Sequence, residues 1–315
     1  MATEVRTRPA ESARPAAAGR AQAQLVLTMA LWGSGFVVSK KAVEQMPHSV
    51  AAVIRFGSGA VVLLLVLAVL RGGRIRVDRS QLGPLLLAGV LGTGVYNAVL
   101  FFGLSRAPAI DGTIIVPVLS PILTTAAALA LRWDRPQRRR VAGLLLGACG
   151  AAVFLLGAAG PGAGHGRLSG DLAYVAAAAS WSAYTLVGKK ILAGVEPFTA
   201  TAVSMAFGAL LLAALAVPDL GRVAWHALPG SFYTTMAYLV LFPTAVAYGL
   251  FYVGVRAVGP TTASVLMFLV PVSGTALAWL LLGESADGAQ LIGSAAMLAG
   301  ALAATVAPGS RGRDG

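Results

Sequence analysis

Apolar runs of roughly spanning length follow one another along this chain, separated by short segments that hold most of the charge. An α-helix rises 1.5 Å per residue, so about 20 apolar residues cross a hydrocarbon core of about 30 Å. The pattern predicts ten spans, at 24–44, 49–70, 82–104, 109–131, 140–159, 170–189, 198–217, 231–254, 260–282 and 287–307. A buried helix of a soluble protein can imitate one span, but ten in series cannot be read that way.

The chain also matches itself at a shift of about 150 residues. Trp32, Lys40 and Lys41 recur as Trp181, Lys189 and Lys190, and Phe101, Arg106 and Ala107 as Phe251, Arg256 and Ala257. Pro121 recurs as Pro271, Asp134 as Glu284, Gly143 as Gly293 and Gly150 as Gly300. Each unit holds five spans, and an odd number sends the second copy into the membrane from the opposite side. The expected fold is therefore an all-α membrane protein of ten transmembrane helices, arranged as two inverted five-helix repeats around a central cavity. Inverted repeats with a site at their interface are a plan of secondary transporters, because exchanging the conformations of the halves moves the opening across the membrane.

Composition supports lipid as the solvent. The 315 residues are 57% hydrophobic and 11% charged, against about 25% charged in an ordinary soluble domain. The net charge of +12 is no nucleic-acid footprint, since the basic residues sit between spans. Arg6, Arg8, Arg14 and Arg20 precede the first, Arg71, Arg74, Arg76 and Arg79 follow the second, and Arg132, Arg135, Arg138, Arg139 and Arg140 follow the fourth. Every second loop is basic, which places both termini in the cytoplasm. Residues 1–23 read as a disordered cytoplasmic tail and not a cleaved signal, 24–160 and 168–307 as the two repeats, and 308–315 as a second tail. The lone Cys149 lies in an apolar span, and His48, His165 and His226 have no ligand spacing. Neither a metal nor a cofactor is expected.

Particular stretches resemble a known family. "LWGSGFVVSK" at Leu31–Lys40, Arg55 in the second span, and the long stretch from Ala245 to Glu284 are similar to the EamA-type transporters of the drug/metabolite transporter superfamily. The resemblance covers roughly 24–307, both repeats being EamA-like. It implies ten helices, cytoplasmic termini and export of small metabolites or drugs across the bacterial inner membrane. The first copy departs from the pattern, with Trp133 and Asp134 where the second has Gly283 and Glu284, and Met205 stands where an arginine would match Arg55.

Polar and aromatic groups inside spans are costly against lipid and tend to face the bundle. Arg55 reads as an anchor for a substrate carboxylate or a gate, or else as a side chain reaching the interface. Trp181 with Tyr184, and Tyr248 with Tyr252, share helix faces that could sandwich a planar substrate or simply pack. Trp32, Ser34, Tyr96, Asn97 and Thr113 complete the polar candidates. Pro117 and Pro121 each remove a backbone donor, as does Pro271, which shares a face with Ser264, Met267 and Phe268; interrupted helices near a repeat interface point to a binding site or only help packing. Lys40 and Lys189, at helix ends, Asp111, Glu284, Pro121 and Pro271 are candidates for gating or coupling. All twelve acidic residues fall in tails, loops or helix ends, so no buried proton-carrying carboxylate is evident.

With no Gly-rich loop ending in Gly-Lys-Ser or Gly-Lys-Thr, ATP hydrolysis on this chain is not expected. The reading is an ATP-independent exporter of small organic solutes such as amino acids, nucleobases or amphipathic drugs, not an enzyme. A sensor or assembly protein without flux is the alternative; a lipid-modifying enzyme would want clustered Asp, His or Glu that the spans lack. The partners are a small-molecule solute and the lipid bilayer. Proton or counter-solute coupling and the oligomeric state stay open here.

Overall fold

The computed structural model describes residues 15–73, 77–133, 137–158, 166–191, 195–258 and 266–305. Among them there is no strand, and ten helical rods stand where ten spans are expected. They are α1 (Pro15–Val43), α2 (His48–Leu70), α3 (Arg79–Arg106), α4 (Ala109–Ala130), α5 (Arg138–Ala158), α6 (Arg167–Ile191), α7 (Pro197–Ala216), α8 (Gly230–Val240 continuing through Leu241–Val246 to Ala247–Val258), α9 (Leu269–Leu282) and α10 (Gly288–Thr305). Seven of these, all but α6, α9 and α10, are long and apolar enough to cross a membrane. The outward faces of the rods carry exposed Leu65, Val69, Leu156, Trp279, Leu280 and Ile292, an apolar coat suited to lipid rather than water.

Local chemistry sets the helix ends. Glu196 accepts the N–H groups of Phe198 and Thr199 at 3.1 and 2.8 Å, while Pro197 occupies the first turn of α7, where a missing N–H costs nothing. Gly283 closes α9 in the left-handed region, at φ +66°, a conformation without penalty for glycine.

Two expectations are corrected. Residues 15–23 are helical, not a disordered tail: alanine, glutamine and arginine are good helix formers, and Pro15 suits a first position. Residues 1–14 and 308–315 lie outside the described residues. The prolines of α4 do not break it, for the helix runs from Ala109 to Ala130 through Pro117 and Pro121, its first half buried among neighbours that hold it despite two missing bonds. The irregular backbone instead takes the form of two π turns, Val90–Val95 in α3 and Leu241–Val246 in α8, about 150 residues apart and so at matching places in the two copies.

Packing follows the repeat. α2 lies along α7 and α5 along α10, each helix beside its own counterpart. α1 packs against α8 and α9, and α6 against α3 and α4, which is the same arrangement with the copies exchanged. Gly59 of α2 abuts Thr244 of one π turn, while Gly208 of α7 abuts Thr93 and Gly94 of the other. α5 and α10 cross antiparallel, Gly143 meeting Gly300 and Gly150 meeting Gly293.

Candidate functional site

Four helices, α1, α3, α6 and α8, bring the aromatic candidates together in two clusters. Trp32 of α1 packs edge-on against Tyr248 of α8, ring centres 5.7 Å apart, and lies 4.9 Å from Phe251. Trp181 of α6 packs against Tyr96 of α3 at 5.1 Å and against Tyr184, one turn along, at 5.2 Å. The two tryptophans occupy equivalent positions in the repeats, and each takes a tyrosine from the helix its counterpart would predict. Trp181, Tyr184 and Tyr248 line one narrow cleft with Thr93, Ser204 and Met205. Its free space is about 20 Å³, enough for roughly one water, so the cleft is closed around its centre.

Arg55 of α2 is the charged member of this region. It does not reach a helix end: it is 8% exposed and turns toward α1, where Nη1 donates to Ser39 Oγ at 2.7 Å and, at 3.4 Å, to the Gly35 carbonyl. Ser39 in turn donates to that carbonyl at 2.6 Å. The guanidinium carbon stands 4.7 Å from the Phe56 ring centre, and the electrostatic neighbours of the charge are Tyr96, Tyr248 and Tyr238. Arg55 Nε has no partner, and no carboxylate among the described residues pairs with the group. A buried cation without a counter-ion is costly, and cation–π contact offsets only part of that cost. Met205, at the matching place in the second copy, is buried and neutral, so the charge is one-sided.

Other sequence candidates are placed differently. Ser34 is buried and bonds Tyr238 Oη at 2.8 Å, which joins α1 to α8. Asn97 finds no partner on a neighbouring helix: its Nδ2 donates to Thr93 of its own helix at 2.9 Å and its Oδ1 is unpaired. Thr113 donates to Ile110 and faces Thr275, packing α4 on α9. Pro117 and Pro121 are half-buried within α4, Met267 and Phe268 form the turn ahead of α9, and Pro271 is buried in its first turn. The side chains of Tyr252 and Lys189, and all of Ser264, lie outside the described residues.

A second polar centre occupies one end of the bundle. Asp111, in the first turn of α4, is fully buried and receives the Arg167 guanidinium at 3.0 Å and Gln290 Nε2 at 3.0 Å. Asp171, one turn into α6, is fully buried beside it. This corrects the expectation that no buried carboxylate is present. Asp111 and Glu284 were among the sequence candidates and Asp171 was not; its place four residues after Arg167 on one helix face is the signal that could have found it. Glu284, just past α9, accepts the N–H groups of Ala109 and Ile110 at 2.9 and 2.7 Å, so a residue of the second copy caps a helix of the first. Lys40 neither reaches outward nor faces the cleft; its ammonium donates to the carbonyls of Leu104 and Ala107 at 2.7 and 3.0 Å, closing the end of α3.

Comparison with known proteins agrees with this architecture. The EamA-like transporter family pattern matches twice, at residues 20–156 and 168–306. An uncharacterized transporter of Bacillus subtilis, YetK, is 25% identical over 281 residues, 89% of this chain and 85% of its own. A probable amino-acid metabolite efflux pump of Salmonella typhimurium is 27% identical over 288 residues, 87% of this chain and 91% of its own. One solved structure superposes with a TM-score of 0.61 at 25% identity, covering 91% of this chain and 96% of that one. Two family matches over two five-helix copies, in a multi-pass apolar bundle with an aromatic centre, make this chain a member of the EamA-like transporter family.

Proposed function

We propose that the protein exports small organic solutes carrying a carboxylate, amino acids and their metabolites foremost, by ATP-independent alternating access across the bacterial inner membrane. The observation that carries this reading is Arg55, a buried guanidinium with an unpaired Nε and, among the described residues, no carboxylate beside it, next to Tyr96, Tyr238 and Tyr248, the last of which also lines the cleft. A guanidinium matches a carboxylate through two parallel hydrogen bonds, and a solute carboxylate would supply the missing counter-charge. Trp32, Trp181, Tyr96, Tyr184 and Tyr248 would enclose the rest of the solute and fix its orientation. That a relative is named as an amino-acid metabolite efflux pump favours the same class.

In this reading all ten rods cross the membrane and the repeats are inverted, with the antiparallel crossing of α5 and α10 and the exchange-symmetric packing of the others as support. Alternating basic loops favour cytoplasmic termini. Exchanging the conformations of the halves would open the cleft first to one side, then to the other.

The test is counterflow of radiolabelled amino acids into proteoliposomes holding the full chain, for the natural protein and Arg55→Ala. Uptake of at least one amino acid, reduced by an order of magnitude or more in the variant, is expected; equal uptake by both removes Arg55 from the site.

A further inference from the structure

Two carboxyl groups from different repeats meet at the end of the bundle where α3 closes and α4, α6 and α10 begin. Asp111 of α4 has its oxygens engaged: Arg167 donates from Nε and Nη2 to Oδ2 at 3.1 and 3.0 Å and from Nη2 to Oδ1 at 3.2 Å, and Gln290 donates to Oδ1 at 3.0 Å. Asp171 is as deeply buried, yet neither of its oxygens receives an amide, hydroxyl or guanidinium donor. Arg167, one helical turn before it, bonds Asp111, which sets the two carboxyl groups side by side, with Asp111 and then Arg167 as the charged neighbours of Asp171. Two carboxylates side by side away from water repel strongly, and such a pair is stable when one proton is shared.

Among the described residues no second cation removes that need. Among the described residues Arg167 is the one cation bonded to the pair, through Asp111. Lys40, from α1, is spent on the carbonyls of Leu104 and Ala107, and the Arg106 guanidinium at the end of α3 lies 5.2 Å from the Phe102 ring centre. Glu284, beyond α9, adds negative charge and is held by Ala109 and Ile110. Asp287, ahead of α10, accepts the Gln290 N–H at 2.7 Å. Tyr174, on α6, donates its hydroxyl to the Pro108 carbonyl at 3.1 Å and so does not serve Asp171.

We propose that Asp111 and Asp171 bind one exchangeable proton between them, and that this proton holds α4 and α6, and with them the two repeats, together at this end of the bundle. With the proton bound, the pair carries one negative charge that Arg167 balances. On its release a second charge appears across the repeat interface, and repulsion within a desolvated pocket parts α4 from α6 and admits water. Acid on that face favours the closed end, and alkali the open one. Any part this proton plays in driving export rests on the transport reading above, whereas the proton site itself does not.

The test needs no solute. Infrared difference spectra of the full chain in liposomes, recorded between mildly acidic and mildly alkaline pH, should show a protonated carboxyl band that disappears on alkalinisation and shifts in deuterium oxide. The band should be absent from Asp171→Asn and present in Asp171→Glu. Absence of a titrating band in the natural chain, or its persistence unchanged in Asp171→Asn, overturns the site; should Asp171→Asn not fold, the natural chain alone decides. For the opening, Ala177→Cys in a Cys149→Ala background places a thiol at a buried position of α6. Its labelling by a membrane-impermeant maleimide should rise with pH more steeply than in the same background carrying Asp171→Asn. Equal pH dependence in the two overturns the latch.

Discussion

Gly150 of α5 and Gly293 of α10 cross with their backbones in contact: a Cβ added at Gly293 would lie 2.7 Å from the Gly150 carbonyl oxygen and 2.6 Å from the Phe154 nitrogen. The reciprocal pair, Gly143 and Gly300, repeats the contact on the other side of the crossing. Small residues that let helix backbones touch are a recurrent means of association in lipid, where burial against water supplies no drive between helices. Gly293→Val should therefore separate the pair and destabilise the fold by about 1–3 kcal/mol, the usual cost of overpacking. Thermal stability in detergent, followed by size-exclusion fluorescence, reads this directly. Gly249→Ala, at a site where an added Cβ meets nothing within 4 Å, should leave the melting temperature unchanged or raise it.

Glu284 caps α4 with both oxygens and places an anion at a helix N-terminus. Glu284→Ala should cost about 1–3 kcal/mol, since two buried N–H groups lose their acceptor. Glu284→Gln, which keeps one acceptor oxygen, should cost less. If the two variants melt together with the natural chain, the cap contributes nothing to stability.

Trp181 and Trp279 separate the cleft from the coat. Trp181 lines the closed cleft, whereas Trp279 is 63% exposed on the outer face of α9. Amino-acid counterflow should show a raised KM for Trp181→Ala and ordinary kinetics for Trp279→Ala. The opposite ranking would move the solute path away from α6.

Lys40 illustrates a structural role for a residue whose repeat position suggested gating. Lys40→Met should leave two carbonyls at the end of α3 without their donor and lower thermal stability, while solute KM stays unchanged. A change in KM with stability intact would return Lys40 to the transport path.

Topology gives a further check on the arrangement of halves. Reporter fusions at residues 1 and 315 should report the same membrane side, and a fusion in the segment near residue 162, between the repeats, the opposite side. Termini on opposite sides would require an odd number of crossings and remove the inversion.

Periodicity and hydropathy carried the helices well: the starts and ends of α2, α4 and α7 fall within a few residues of the expected spans, because lipid leaves a backbone no alternative to internal hydrogen bonding. The inward placing of several polar and aromatic side chains was legible for a related reason. Arg55, Trp32, Trp181 and Tyr184 stand inside apolar segments where lipid contact would be costly, so their types alone directed them inward. Thr113 and Asn97 met the same criterion, yet their partners are Ile110, Thr275 and Thr93, because a hydroxyl or amide in a helix can satisfy itself on a nearby carbonyl.

The chain by itself determined that this protein is a helical, twice-repeated resident of the bilayer, since composition, span length and the shift of about 150 residues are properties of local sequence. Tertiary structure alone decided which charges are exposed. Asp171, one turn inside α6, becomes a buried neighbour of Asp111 only because α4 packs along α6, and Arg55 becomes a buried cation without an acid only because α1 presents Ser39 and Gly35 to it. Burial and pairing are set by residues distant in the chain and adjacent in space, which no reading of neighbouring positions contains.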